Sequence, residues 1–221
     1  AGAGIVLNYI FDLEIDRINA PHRVLPSRRM SVRQAYLQAA TMFFFSLLLS
    51  LRLHSLAVML VLVNVLLEYA YARWIKKVAF VANLLDSWFV ASAFLLGTLS
   101  CGLVSELVLL MACLAFLANV GREIHGDIQD LEGDRKLGIS TLPIKLGVRR
   151  ARFLGNVFIV VAVLLSPLLF SLGLSYASLP FIAMSNLSFI YALFQDPEKN
   201  QRVTKIAMFL ALLGFFIGIV T

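Results

Sequence analysis

Seven stretches of this chain, residues 35–51, 55–72, 83–104, 105–120, 153–172, 174–194 and 204–221, are apolar and nearly free of charge. Each is about as long as the ~17–25 residues a helix needs to cross a bilayer. Inside hydrocarbon a spanning segment must satisfy its own backbone N–H and C=O groups, which leaves the helix as the element such runs can form. The expected architecture is an all-α, multi-pass transmembrane helix bundle. A composition of 60% hydrophobic and 14% charged residues, with a mean hydropathy of +0.87, removes the water-soluble globular class. No Pro-, Gly- or Ser-rich linker and no polar segment of soluble-domain size interrupts the chain, so residues 1–221 read as one transmembrane domain. It opens on Ala1-Gly2-Ala3-Gly4-Ile5-Val6-Leu7, without initiator Met, charged leader or cleavage site, and is expected to begin inside a helix, truncated at its N-terminus. Cys101 and Cys113 both fall in apolar stretches without metal-ligand spacing and read as packing residues.

The formal charge of +6 is distributed by membrane side. Residues 17–33 hold five Lys and Arg, residues 73–77 three, residues 122–152 seven and residues 199–205 three, which is 18 of the 19. The alternate connections, near His54, Gly102 and Gly173, hold only Arg52. The positive-inside rule then puts the charged connections in the cytoplasm and the chain in the cell membrane. Ten acidic residues sit at the same ends, leaving Glu68, Asp86 and Glu106 elsewhere. Polar chemistry is therefore expected on the cytoplasmic side. A nucleic-acid platform would need aromatics on a polar basic surface, and none is legible.

Two acidic clusters stand out. In Asn8-Tyr9-Ile10-Phe11-Asp12-Leu13-Glu14-Ile15-Asp16-Arg17, the residues Asn8, Asp12 and Asp16 recur every four positions. At ~100° per residue that spacing places three oxygen donors on one stripe of a continuing helix. In the run from Arg122 to Lys136, Asp127, Asp130 and Asp134 keep i, i+3, i+7 spacing and share a helical face in the same way. So many carboxylates repel unless cations neutralise them, and hard oxygen donors select magnesium or calcium. A solvated helix end explains either cluster alone. Two clusters, each ending an apolar span and each flanked by arginine, point instead to a bound metal and an anion. Magnesium bridging a diphosphate satisfies both charges.

At these residues the sequence resembles the UbiA prenyltransferase superfamily, whose motifs read N-D-x-x-D-x-x-x-D and D-x-x-x-D. Asn8, Asp12 and Asp16 match the first, and Asp127, Asp130 and Asp134 the second, with Tyr9 standing where many members carry an Asp. The segment Tyr71-Ala72-Arg73-Trp74-Ile75-Lys76-Lys77, followed by Asn83, looks like the family's tyrosine-to-lysine segment. The stretch from Asn19 to Arg28 resembles its H-R-P-L-P-S-G loop, with Val24 and Arg28 departing from it. Gly138-Ile139-Ser140-Thr141-Leu142-Pro143 matches the end of the second motif.

The resemblance implies a nine-helix bundle with a central cavity open to lipid, here without its first helix and part of its second. It implies a prenyltransferase with Mg²⁺ as cofactor, in which Asp12, Asp16, Asp130 and Asp134 are catalytic. Asn8, Asp12, Asp16, Asp127, Asp130 and Asp134 would hold the metal. Asn8, Tyr71, Lys76, Lys77, Asn83, Arg122 and Asp127 would meet the prenyl diphosphate, and Arg17 and Arg23 an acceptor phosphate. Residues 8–21 and 122–146 look most like archaeal digeranylgeranylglyceryl phosphate synthases, which join geranylgeranyl diphosphate to geranylgeranylglyceryl phosphate in ether lipid synthesis. An aromatic acceptor, as in 4-hydroxybenzoate polyprenyltransferases, is the alternative. A divalent cation transporter is the rival from another class, but it should carry carboxylates at membrane depth, and only Glu68 and Asp86 approach that. The single compressed aspartate motif of CDP-alcohol phosphotransferases is not present. His54 and His125 lack zinc-type partners.

Overall fold

The computed structural model describes residues 2–136 and 138–221, with all side chains but those of Ile15, Ile18 and Asn19. Its elements are helices, and their contacts group into two units, residues Ala1–Val78 with Leu99–Leu103, and residues Ala79–Thr98 with Val104–Thr221.

The first unit holds α1 (Gly2–Phe11), α2 (Leu13–Asn19), α3 (Val32–Ser50) and α4 (Ser55–Arg73). Ser31 opens α3 with a capping box: its hydroxyl accepts from Gln34 N–H at 3.2 Å while the Gln34 carboxamide accepts from Ser31 N–H at 2.9 Å. α1 lies against α3 and α4, burying Leu7 and Ile10 with Ala35, Ala39, Ala72 and Leu25. At Gly102, φ is +70° and an added Cβ would stand 2.7 Å from the His54 ring, so both conformation and space call for glycine there.

The second unit holds α5 (Val81–Ser100, whose last residues group with the first unit), α6 (Glu106–Gln129), α7 (Leu131–Lys136), α8 (Leu142–Leu146), α9 (Val148–Leu165), α10 (Leu168–Ser171), α11 (Leu179–Leu193) and α12 (Pro197–Val220). α6 packs on α9 and α12, and α11 on α12. Met111, Leu114, Ile159, Leu169, Ile182 and Phe215 belong to the main buried cluster. The backbones of α6 and α9 come close at two glycines: a Cβ on Gly121 would lie 2.8 Å from Gly155 O and 2.6 Å from Ile159 Cγ1. Small residues at a helix crossing are how membrane helices gain packing where lipid supplies no hydrophobic drive. Asp196 caps α12 by accepting from Lys199 N–H at 2.9 Å, and buried Asn200 donates to Ala192 O at 2.7 Å, fastening α12 to the end of α11.

Among the described residues, six helices are long and apolar enough to cross a membrane: Ser55–Arg73, Val81–Ser100, Glu106–Gln129, Val148–Ser171, Tyr176–Leu193 and Pro197–Val220. The seventh stretch expected to span, residues 35–51, forms α3 but is not among them. That helix has 19 residues, yet Arg33, Gln34 and Gln38 in its first two turns dilute its apolar run. Leu66, Phe153, Leu187 and Phe216 remain mostly exposed, as suits side chains whose solvent is lipid.

Candidate active site

The stripe expected on one continuing helix is delivered by two helices joined at an aspartate, in both motifs. α1 ends at Phe11 and α2 begins at Leu13; between them Asp12 has φ −93° and ψ 2°. α6 ends at Gln129 and α7 begins at Leu131, with Asp130 at φ −90° and ψ 4°. The four-residue backbone ladder nevertheless runs through each break. Asp12 N–H donates to Asn8 O at 2.9 Å and Asp16 N–H to Asp12 O at 2.8 Å, while Asp130 N–H donates to Gly126 O and Asp134 N–H to Asp130 O, both at 2.9 Å. The spacing argument survives because the hydrogen-bond register is kept while one residue bends. Such near-zero ψ values are sparsely populated and recur at active sites.

Within the first unit, Lys76 Nζ lies 2.5 Å from Asp12 Oδ1, and Arg23 donates to Asp16 Oδ1 at 2.6 Å. Asp16 is buried, and its hydrogen bond holds the Arg23 guanidinium even more firmly protonated than usual. Arg23 also lies 5.4 Å from the Tyr9 ring centre. Asn8 Oδ1 and Asp16 Oδ2 are buried without hydrogen-bond partners. Tyr71 is half-buried on α4, and Lys77 is exposed in the turn Ile75–Lys77. Arg17 is turned to the surface, paired with Glu14 at 2.8 Å. A cavity of about 350 Å³ opens beside Asp16, Arg23, His22, Tyr9 and Gln38.

Within the second unit, buried Asn83 donates to Asp127 Oδ2 at 3.0 Å. Arg122 is enclosed by protein: Nε donates to Asn119 Oδ1 at 3.1 Å, one terminal nitrogen to Gln201 Oε1 at 3.2 Å, and the other contacts Glu123. Asn119 in turn donates to Ser87 Oγ at 3.1 Å and to Asp86 Oδ2 at 3.3 Å. Burial, then the charge of Asp130, pushes the Asp134 carboxyl above the ordinary carboxylate range. Asp130 itself is exposed. Asn119 and Gln201 were not singled out from the sequence; the available signal was a lone carboxamide inside a helix that is otherwise apolar or near its charged end. His125 is fully buried, with Nε2 2.9 Å from Asn156 Oδ1.

Among the described residues no three His, Cys, Asp or Glu side chains are drawn together into a preformed metal cluster. The donor chemistry still fits a hard divalent ion. The first motif offers two buried oxygens without partners, and both motifs offer carboxylate and carboxamide oxygens only, with no thiol or imidazole.

The UbiA prenyltransferase family matches residues 1–213, across both units. The chain belongs to the UbiA prenyltransferase family. It is thus a multi-pass membrane prenyltransferase, and as a family UbiA prenyltransferases depend on divalent metal. Digeranylgeranylglyceryl phosphate synthase of Methanosarcina mazei is 35% identical over 228 residues, covering 99% of this chain and 78% of that protein. The enzyme of the same name from Methanocaldococcus jannaschii is 37% identical, covering 97% of this chain and 78% of its own length. Among solved structures, one concerned with digeranylgeranylglyceryl phosphate synthase in membranes superposes with a TM-score of 0.84 at 35% identity, over 98% of this chain and 80% of that one. A UbiA homolog from Aeropyrum pernix K1 gives 0.82 at 20% identity, over 97% and 84%, a likeness of fold.

Proposed function

We propose that this chain moves a geranylgeranyl group from its diphosphate to the free hydroxyl of geranylgeranylglyceryl phosphate, forming an ether bond in archaeal-type lipid synthesis. The observation that carries this reading is the identity of about a third, over nearly the whole chain, with relatives named digeranylgeranylglyceryl phosphate synthase.

The proposed ligands for magnesium are Asn8, Asp12 and Asp16 in one motif and Asp127, Asp130 and Asp134 in the other. When bound, magnesium supplies charge neutralisation for the departing diphosphate. The protein's own part is to bind and orient. Lys76, Lys77, Tyr71, Asn83 and Arg122 are assigned to the diphosphate. Lys76 and Arg122 are already held in place, which lowers the ordering cost when an anion arrives. Arg17 and Arg23 are assigned to the acceptor phosphate. Arg17 leaves only an exposed pair to do so, and such pairs contribute ~0–1 kcal/mol.

An allylic cation must be kept from water, and the second unit has walls suited to its chain. A cavity of about 530 Å³ is lined by Phe94, Leu114, Ala118, Ala162, Phe189 and Phe215, among others. Ala118 precedes Asp127 by nine residues on α6. At ~1.5 Å per residue the cavity is entered roughly 14 Å along that helix from the acidic motif, within reach of a C20 chain. The clustering of Lys and Arg on alternate connections supports an active site on the cytoplasmic side.

The test is transfer by the full protein in lipid vesicles. Geranylgeranyl diphosphate is supplied with geranylgeranylglyceryl phosphate or with 4-hydroxybenzoate, with and without magnesium, and products are identified by mass spectrometry. The expected product is the diether phosphate, formed only with magnesium. Asp12→Ala should lower kcat/KM by ~10²–10³, the usual cost of removing one group that meets developing charge. A prenylated aromatic would replace the acceptor. Metal flux across the vesicles without transfer would sink the enzyme reading.

A further inference from the structure

Gln201 is nine-tenths buried in the first two turns of α12, a helix that is mostly apolar beyond them. A carboxamide in such surroundings is costly unless both ends are bonded. Both ends of Gln201 bond the same residue: Nε2 donates to Arg122 O at 3.0 Å, and Oε1 accepts from the Arg122 guanidinium at 3.2 Å. The approach is possible because the residue one turn further along α6 is Gly126, where an added Cβ would collide with Gln201 Nε2. The guanidinium's contacts with Asn119 and Glu123 come from α6 itself. Among the described residues, Gln201 is therefore the contact that ties this side chain to a second helix.

We propose that Gln201 is a positioning residue for prenyl diphosphate binding, holding the Arg122 guanidinium from α12 so that its remaining N–H donors meet the anion in a fixed direction. A guanidinium has five N–H donors, and three protein contacts leave some for an oxyanion. The inference rests on the assignment of Arg122 to the diphosphate. It is independent of the acceptor, because the prenyl diphosphate is common to every acceptor considered.

The measurement is the Kd for geranylgeranyl diphosphate with magnesium, by calorimetry on the full protein in detergent, alongside kcat and KM for both substrates in vesicles. Gln201→Leu keeps the side-chain volume and removes both bonds. It should weaken diphosphate binding about tenfold, raise KM for the diphosphate and leave KM for the acceptor unchanged. Gly126→Ala puts a methyl group where the carboxamide sits and should give the same loss from the other helix. Added to Arg122→Gln, neither change should cost anything further, since each acts through that guanidinium. Thr204→Val removes a hydroxyl that donates to Asn200 on the same helix, without reaching Arg122, and should leave the Kd within about twofold. An unchanged Kd in Gln201→Leu or Gly126→Ala, multiplicative losses with Arg122→Gln, or an equal loss in Thr204→Val would each overturn the proposal. Transfer to an aromatic acceptor by the wild type, with the Gln201 effect intact, would overturn the acceptor reading alone.

Discussion

Asp12 and Asp130 open closely matching runs, Asp12-Leu13-Glu14-Ile15-Asp16-Arg17 and Asp130-Leu131-Glu132-Gly133-Asp134-Arg135, and bend the backbone in the same way. Helical periodicity foresaw the four-residue register but not the bend, because a break that preserves that register leaves the apolar pattern untouched. The carboxyl of Asp134 has a titration consequence. Its proton is retained to higher pH than usual, first by burial and then by the charge of Asp130. In the metal-binding role proposed for Asp134 only the carboxylate would hold a divalent ion, so the ion's affinity should weaken as pH falls through this raised value, beginning above the ordinary carboxylate range. Proton release on magnesium binding, from calorimetry in two buffers of different ionisation enthalpy, should drop in Asp134→Asn. Asp130→Ala should move the remaining pH dependence to lower pH.

At the scale of elements, the α6–α9 crossing depends on two glycines that a hydropathy reading passes over. Gly121→Val must push against the backbone of Gly155 and the Ile159 side chain. A loss of ~1–3 kcal/mol is expected, seen as a lowered Tm in detergent. Gly97, with nothing within 4 Å of an added Cβ, is the control. Gly97→Ala should leave Tm unchanged or raise it slightly, by up to ~1 kcal/mol of helix propensity. The apolar cavity gives a second prediction at this scale. Ala118→Phe fills space between α6 and the surrounding helices. KM should rise about tenfold for geranylgeranyl diphosphate and far less for a C10 diphosphate, a difference corresponding to ~1.4 kcal/mol. Equal effects on both chains would remove the cavity from the prenyl path.

For the whole molecule, the charge partition predicts orientation. In right-side-out vesicles a membrane-impermeant maleimide should label exposed Cys101, on the connection nearly free of positive charge, and spare Lys145→Cys on the charged one. Inverted vesicles should reverse the pattern, with Cys113 replaced by serine throughout. Helix class, most of the spans, the sidedness expectation and the acidic stripes were legible in the sequence because each follows from local quantities: run length, charge position and a repeat of four. The stretch at 35–51 does form a helix, but that helix begins at Val32 and so takes in Arg33 and Gln34, which the apolar window leaves out. What the sequence left open depends on partners far apart in the chain. Lys76 meeting Asp12, Asn83 meeting Asp127, and Gln201 reaching Arg122 past Gly126 join residues separated by 44 to 79 positions. No periodicity encodes such pairs. They exist because helices pack at the few places where small residues allow close approach, and because a buried polar group must find its partner wherever the fold supplies one.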